Sequence, residues 1–394
     1  MLMEEFVRKN KNSAAYNLKN AFCMKRREFL IVAGSTVVIA GITYYLGSDK
    51  TNFLREDSKQ NPAGKFPLQS DEREILFLAS LAPSGHNTQP WFIKYLEPYH
   101  WIICNDRTKW LTAVDPTQRE TILSIGAFAQ TLEYAAANVG YNCAFTLLAS
   151  TNQDENIMDV KLTKASNVAT FDIAKIKSRR TVRSNYLNDV LKNEDAIFLF
   201  NEEKDWFHFI QTGSKEYAFL NEQTIEANRI QSYRDAAEKE LSDWIRFSSK
   251  DAEKNRDGLT AASMEIEGLP AWVVRNFYNK SSVMKNSFRD KNIDNVIKQV
   301  SQSAGWLLIT SKDNSVSTLL ETGKRMQRLF LKVKAKGIAI HPMTQILEEP
   351  STKQTLNQSV GINENIQFIL RVGYVKNYPE PVSLRRPVDW FVRS

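Results

Sequence analysis

Residues 82–91 read Ala82-Pro83-Ser84-Gly85-His86-Asn87-Thr88-Gln89-Pro90-Trp91. Pro83 and Gly85 fix a turn, while Ser84, Asn87, Thr88 and Gln89 offer short hydroxyl and amide groups able to bond the polar edge of a planar heterocycle. The same residues also suit a plainer task, capping a helix and starting a strand. Upstream, residues 71–82 set Ile75, Leu76, Ala79, Leu81 and Ala82 on or near one helical face, with Asp71 and Glu72 at its positive start. Downstream, the aromatic and β-branched content of residues 91–95 predicts a strand, with residues 101–104 pairing to it. Residues 117–139 carry Ile122, Ile125, Ala129, Leu132 and Ala136 at helical spacing. That helix stops at Gly140, and residues 143–148 read as the next strand.

A similar order recurs after about residue 170. Residues 303–310 read as a strand, 319–336 as a helix ending at Gly337, and 366–374 as a strand. The spacing predicts an α+β fold built from two diverged copies of one unit, residues 69–170 and 171–394. Residues 190–300 have no counterpart in the first copy and are charged and helical in pattern, as in residues 217–247. An insertion of that size in a compact fold is usually a functional cover, so it is read as a lid.

The 394-residue chain is 42% hydrophobic and 25% charged, with 15 glycines and 12 prolines, which places most of it in the ordinary globular class. Its net charge of +7 comes from interspersed residues, and no basic stretch carries the aromatics of a nucleic-acid module, so no nucleic-acid partner is expected. Cys23, Cys104 and Cys143 have no zinc spacing, so no metal is expected; buried free thiols, or a Cys104–Cys143 disulfide outside the cytoplasm, both fit. A GxGxxG turn, a P-loop and an HExxH pair are absent from the sequence. Glu348 and Glu349 are adjacent, so their side chains point apart and do not make a catalytic dyad.

Lys25-Arg26-Arg27-Glu28-Phe29-Leu30 leads into an uncharged 18-residue apolar run, residues 29–46. A charged start followed by an apolar core resembles a twin-arginine export signal, here without the usual Ser or Thr before the arginines. Residues 24–47 are therefore expected to be an export signal or an uncleaved membrane anchor, with an ordinary buried helix as the alternative. Residues 1–23 read as an extension ahead of a second start at Met24, and 48–68 as a polar linker. The expected location is exported or membrane-anchored on the periplasmic side, or cytoplasmic if the signal does not function.

The loop at 82–91 resembles the APS-x-x-N-x-Q-P-W loop of the flavin-dependent nitroreductase family. Arg179-Arg180-Thr181-Val182-Arg183, followed by Tyr186, is similar to that family's R-x-S/T-x-R opening. Leu370-Arg371-Val372-Gly373-Tyr374 and Ser383-Leu384-Arg385-Arg386-Pro387 resemble its C-terminal arginine elements. Gly337-Ile338-Ala339-Ile340-His341-Pro342 falls where the family brings backbone against the flavin ring; His341 by itself also reads as a structural histidine. Each motif occurs once. The resemblance thus implies one FMN in a composite site, with Pro83, Ser84, Asn87 and Gln89 from one half facing Arg179, Arg180, Thr181, Arg183, His341, Pro342, Arg385 and Arg386 from the other.

Fused halves and a long insertion resemble the Acg-like branch of the family over residues 69–392. That branch implies an FMN-dependent oxidoreductase passing electrons to a small-molecule acceptor, a nitro-aromatic or quinone, with NAD(P)H as a transient donor. The alternative is a flavoprotein that sequesters FMN with little turnover, since NAD(P)H is scarce outside the cytoplasm. Flavin chemistry requires no acid, base or nucleophile from the chain, so no catalytic residue is assigned. A monomer or weak dimer is expected, touching a membrane only through the N-terminal segment.

Overall fold

The computed structural model describes residues 48–49, 53–54 and 66–394. The expected extension (1–23), signal or anchor (24–47) and most of the linker (48–68) lie outside the described residues. The chain divides into Met1–Lys50 and Thr51–Ser394, and the account below concerns the second unit. No helix among the described residues is long and apolar enough to cross a membrane.

Helix α1 (Ser70–Ser80) runs into the 82–91 loop, followed by strands β1 (Trp91–Glu97) and β2 (His100–Asn105), helix α2 (Arg119–Asn138), and strands β3 (Tyr141–Leu147) and β4 (Asn156–Lys164). α1 starts on a capping box in which buried Glu72 accepts from the Gln69 amide at 2.7 Å, and its second oxygen accepts from the Tyr99 amide at 2.7 Å. One carboxylate therefore ties the helix start to the β1–β2 hairpin. The four strands pair antiparallel in the order β1-β2-β4-β3.

The chain continues through α3 (Ile173–Ser178), α4 (Asn193–Phe200) and β5 (Phe207–Gln211). Next come helices α5 (Lys215–Tyr233), α6 (Asp235–Trp244), α7 (Ser249–Asn255), α8 (Gly268–Phe277), α9 (Lys280–Val283) and α10 (Asn286–Val300). Two short parallel strands, β6 (Ile245–Arg246) and β7 (Leu259–Thr260), interrupt them. The chain then forms β8 (Gly305–Ser311), α11 (Val316–Lys332), β9 (Ile338–Pro342), β10 (Asn365–Tyr374) and a terminal strand β11 (Val392–Arg393). The second sheet has the order β5-β8-β10-β9, all antiparallel. In each sheet two strands precede a long helix and two follow it, and they pair first-second-fourth-third. β11 returns to lie parallel to β1, so the chain's last strand joins the first sheet.

The helical excursion is shorter than the 190–300 lid read from sequence. α4 and β5 lie within that span, and β5 is an edge strand of the second sheet. Phe207 and Phe209 turn to the same side, where both rings meet Phe200, and this alternation is too short to stand out in a charged region. The excursion therefore occupies 212–304. The helix expected over 217–247 breaks at Arg234, whose backbone is extended (φ −88°, ψ 102°). Its guanidinium donates to Ala113 O at 2.8 Å and to Glu349 Oε1 at 2.6 Å, bonds that reach both flanking regions.

The two long helices α2 and α11 cross at glycines. A Cβ on Gly126 would lie 2.1 Å from Leu320 O, and one on Gly323 would lie 2.0 Å from Leu123 O. Both contacts are closer than any side chain permits, so only glycine fits. The contacts are reciprocal: a constant spacing of 197 residues relates Leu123 to Leu320 and Gly126 to Gly323. The same spacing relates Gln130 to Gln327. Gln130 Oε1 accepts from Arg328 at 2.8 Å, and Gln327 donates to Thr131, the residue 197 positions before Arg328, at 2.9 Å. Residue i meeting j while j's counterpart meets i's is the signature of a twofold interface. One continuous apolar core runs through this crossing, from Ile75 and Trp91 through Ile125, Phe128 and Leu329 to Ile340 and Leu370.

Cys104 and Cys143 are free thiols. Burial pushes both up to about 12, so neither is a thiolate near neutral pH.

Candidate functional site

The 82–91 loop is held in a strained form. His86, Asn87 and Gln89 all have positive φ (45°, 55° and 53°), a conformation non-glycine residues keep only when their surroundings over-determine it. Ser84 Oγ accepts from the Gln89 amide at 2.9 Å. The buried Asn87 side chain donates to Gly258 O and Leu384 O, both at 3.1 Å, and accepts from Arg385 Nη1 at 2.7 Å. Gln89 donates to Arg256 O at 3.0 Å and accepts from the Arg386 amide at 3.0 Å. The loop is thus gripped from two sides, by residues 256–258 of the helical excursion and by 384–386 of the C-terminal segment.

The arginines from the distant motifs arrive at this loop and divide into two sets. Arg179 donates to Leu81 O at 2.9 Å, and Arg385 donates to Leu81 O and Ala82 O at 3.0 Å each. Arg386 donates to Gln89 O and to Trp91 O, the latter at 2.9 Å. These three guanidinium groups bond the first half's loop backbone and fix its shape.

The second set lies deeper. Arg371, fully buried on β10, donates to Arg183 O at 2.5 Å and to Gln299 O, and stacks on Tyr186 with its guanidinium carbon 4.1 Å from the ring centre. Arg183 Nη1 donates to Ser263 O at 2.7 Å. Arg180 Nη1 donates to Glu380 O at 2.5 Å. The one carboxylate in reach is Glu265: its Oε1 lies 3.4 Å from Arg180 Nη2 and accepts from the Arg183 amide at 2.9 Å, and its Oε2 accepts from Ser184 Oγ. Among the described residues no carboxylate forms an ion pair with Arg371 or with the Arg183 guanidinium. Three buried cations thus share one anion.

Two histidines face this group. Burial first, and then the Arg183 charge, lowers His86 to about 4, and its buried Nδ1 has no hydrogen-bond partner. Burial, then Arg371 and Arg183, holds His341 well below the ordinary imidazole range. Both rings are therefore neutral at pH 7, and His341 Nδ1 lies 3.4 Å from Arg371 Nη2 as an acceptor. Pro83, Thr181 and Pro342 are half-buried in the same segments.

Sequence reasoning missed a carboxylate corner beside the loop. Asp115 accepts from the Glu120 and Thr121 amides at 2.9 and 3.1 Å, capping α2. Thr344 Oγ lies 3.1 Å from both Glu120 Oε1 and Glu348 Oε1. A hydroxyl has one proton to give, so one of the two carboxyl groups must donate to it. Glu120 is bonded by Arg119 at 2.8 Å and is the ionised partner, while Glu348, next to Gln231, carries the proton. Glu349 turns away to Arg234 at 2.6 Å. A Cβ on Gly85 would sit 3.8 Å from Glu120 Oε2, which places this corner against the loop. No local pattern reveals the pair, because 228 residues separate its members.

Burial raises Glu348 well above the carboxylate range, and burial with the Glu120 charge raises Asp115 to about 7. Such groups contribute stability that is complete below their unfolded values near 4 and is lost as pH rises through the folded ones. Unfolding in urea is expected to show the native protein gaining stability from this corner between pH 8 and 5. In Glu348→Gln that gain should shrink by on the order of 1 kcal/mol, because the amide copies the protonated acid at every pH.

Comparison with known proteins follows the same outline. No protein-family model matches the chain. It is 23% identical over 329 residues to a Mycobacterium tuberculosis protein named "Putative NAD(P)H nitroreductase acg", covering 79% of this chain and 92% of that one. It is 20% identical over 313 residues to a Serratia protein named "Probable NAD(P)H nitroreductase PigM", covering 75% and 86%. An FMN-dependent nitroreductase from Mycobacterium smegmatis, solved with NADPH, aligns at 15% identity over 57% of this chain and 99% of that one, with a TM-score of 0.35, too low to bear on the fold. The chain is thus a distant relative of proteins named NAD(P)H nitroreductases, and the nitroreductase family is the one these similarities support.

Proposed function

We propose that the chain is an FMN-dependent oxidoreductase of the nitroreductase family, with one flavin held between two fused copies of a single α+β unit. The observation that carries this reading is the buried set of Arg180, Arg183 and Arg371 sharing only Glu265, at the place where the 82–91 loop meets the second half. Buried cations without matched anions are costly, and a phosphate dianion suits them. The unpartnered His86 Nδ1 adds a polar group aimed at the same region. The residues therefore fit the phosphate-bearing cofactor. Arg180, Thr181, Arg183 and Arg371 would hold its anionic end, with Pro83, Ser84 and the His341–Pro342 backbone bordering it. Arg179, Arg385, Arg386, Asn87 and Gln89 would keep the loop in its strained shape. When bound, FMN supplies reversible two-electron redox chemistry. The chain's own part is to bind, orient and control access.

The shared strand order, the 197-residue spacing and the reciprocal glycine contacts support the two-copy reading. The 212–304 excursion is the proposed lid, and its bonds from residues 256–265 to the loop and to Arg183 favour a second reading, a flavoprotein that keeps FMN covered and turns over little. The proposed acceptors are nitro-aromatics or quinones, and the proposed donor is NAD(P)H, which the relatives' names suggest. Residues 24–47 are proposed as an export signal or anchor.

A visible spectrum and rapid-mixing reduction test both readings. The oxidoreductase reading predicts a yellow protein whose 450 nm band bleaches within seconds in excess NADPH. Flavin that stays oxidised for minutes would leave the sequestering reading, and a colourless protein that takes up no FMN would defeat both.

A further inference from the structure

Glu265 stands out in the arginine group because of how it gets there. It lies outside any helix or strand, in the turn after β7, at φ 59°, a left-handed conformation that costs a non-glycine residue roughly 1 kcal/mol or more. The turn is braced by its own bonds: Thr260 N to Ser263 Oγ at 2.8 Å, Ser263 N to Thr260 Oγ1 at 3.1 Å, Glu265 N to Ala262 O at 3.1 Å and Ile266 N to Ala261 O at 2.9 Å. So braced, it directs a cluster of oxygens at the second half. Ser263 O accepts from Arg183 Nη1, while Glu265 takes the Arg183 amide, Arg180 Nη2 and Ser184 Oγ.

The donors gathered on that carboxylate are a backbone N–H, a guanidinium and a hydroxyl. This is the set that receives a phosphoryl group. The carboxylate brings one negative charge where three arginines lie, so it satisfies the donors but underfills the charge. It also belongs to the excursion rather than to either sheet, so it can leave with the turn without dismantling the donors. We propose that Glu265 is an internal stand-in for the phosphoryl group of the ligand, which must displace it to bind; this rests on the reading that the chain binds FMN. Residues 260–266 thereby make flavin uptake and the docked position of the excursion mutually exclusive at this point. The charge of the ligand's phosphate sets how readily the turn is released.

The test removes the charge and keeps the shape. Glu265→Gln is expected to bind FMN at least about tenfold tighter than the native chain, while affinity for riboflavin, which lacks the phosphate, changes by less than about twofold. Glu265→Asp, which pulls the carboxylate back by one methylene, is expected to fall between them. Unchanged or weaker FMN binding in Glu265→Gln would overturn the proposal, because the carboxylate would then be a fixed counter-ion holding Arg180 in place. An equal gain for FMN and riboflavin would overturn it too, by showing competition with the ring. Inorganic phosphate serves as a probe that does not depend on flavin. It should raise the melting temperature of Glu265→Gln and leave the native chain unmoved. If neither protein takes up FMN but phosphate still stabilises only the variant, the flavin reading fails and the stand-in survives; if phosphate stabilises neither or both, the stand-in fails.

Discussion

Gly126→Leu is expected to destabilise the protein by at least about 3 kcal/mol, at or beyond the upper end of ordinary overpacking, because the new side chain meets backbone rather than a movable side chain. A Cβ at this position would sit 2.1 Å from Leu320 O, and α2 cannot retreat without opening the core on either side of the crossing. Gly323→Leu makes the mirror contact with Leu123 O at 2.0 Å and should cost a similar amount. Because both changes force apart the same pair of helices, the double variant should lose clearly less than the two single losses added together. Urea denaturation of the three variants measures this. Additive losses, or a Gly126→Leu chain of native stability, would mean that the crossing is not the joint between the halves.

The second large effect concerns the buried cations. Arg183→Ala combined with Arg371→Ala is expected to weaken FMN binding by at least about 100-fold, since each guanidinium contributes a charge-assisted contact of roughly 1.5–3 kcal/mol. The apoprotein should keep its secondary structure, because removing buried cations relieves a desolvation cost as well as losing bonds to Gln299 O and Ser263 O. Lysine at position 183 should recover only part of the affinity: it restores the charge without the planar fork. Flavin fluorescence titration reads the effect. Affinity within a few-fold of native would place the cofactor's anion elsewhere, with Arg179 and Arg385 the next candidates.

Much of the first half was legible because its elements are regular and locally determined. α1, β1, β2 and α2 follow from apolar spacing and a turn rich in Pro, Gly and Asn, and each is displaced by no more than two residues from its expected bounds. β4 was missed, although Ile157, Val160 and Leu162 are buried on it, because Asp159, Lys161 and Lys164 interrupt the run. β5 was hidden inside charged sequence. The break at Arg234 and the two-residue strand β11 depend on partners more than 100 residues away, which no window of sequence contains.

The site was legible as a set of motifs but not as a division of labour. The sequence placed the 82–91 loop opposite the arginines. It could not tell that Arg179, Arg385 and Arg386 bond that loop's backbone, while Arg371, an apparently ordinary strand residue, lies with Arg180 and Arg183. Nor could it reveal Glu265, whose importance comes only from where a strained turn carries it. Glu348 was set aside as half of an adjacent pair; its partner is Glu120, brought to it by Thr344.

The central claim is a single composite flavin site between the halves, and counting bound flavin tests it most directly. The chain saturated with FMN, freed of excess by gel filtration and assayed for flavin and protein, is predicted to carry one FMN per chain. Two per chain, or none, would contradict it.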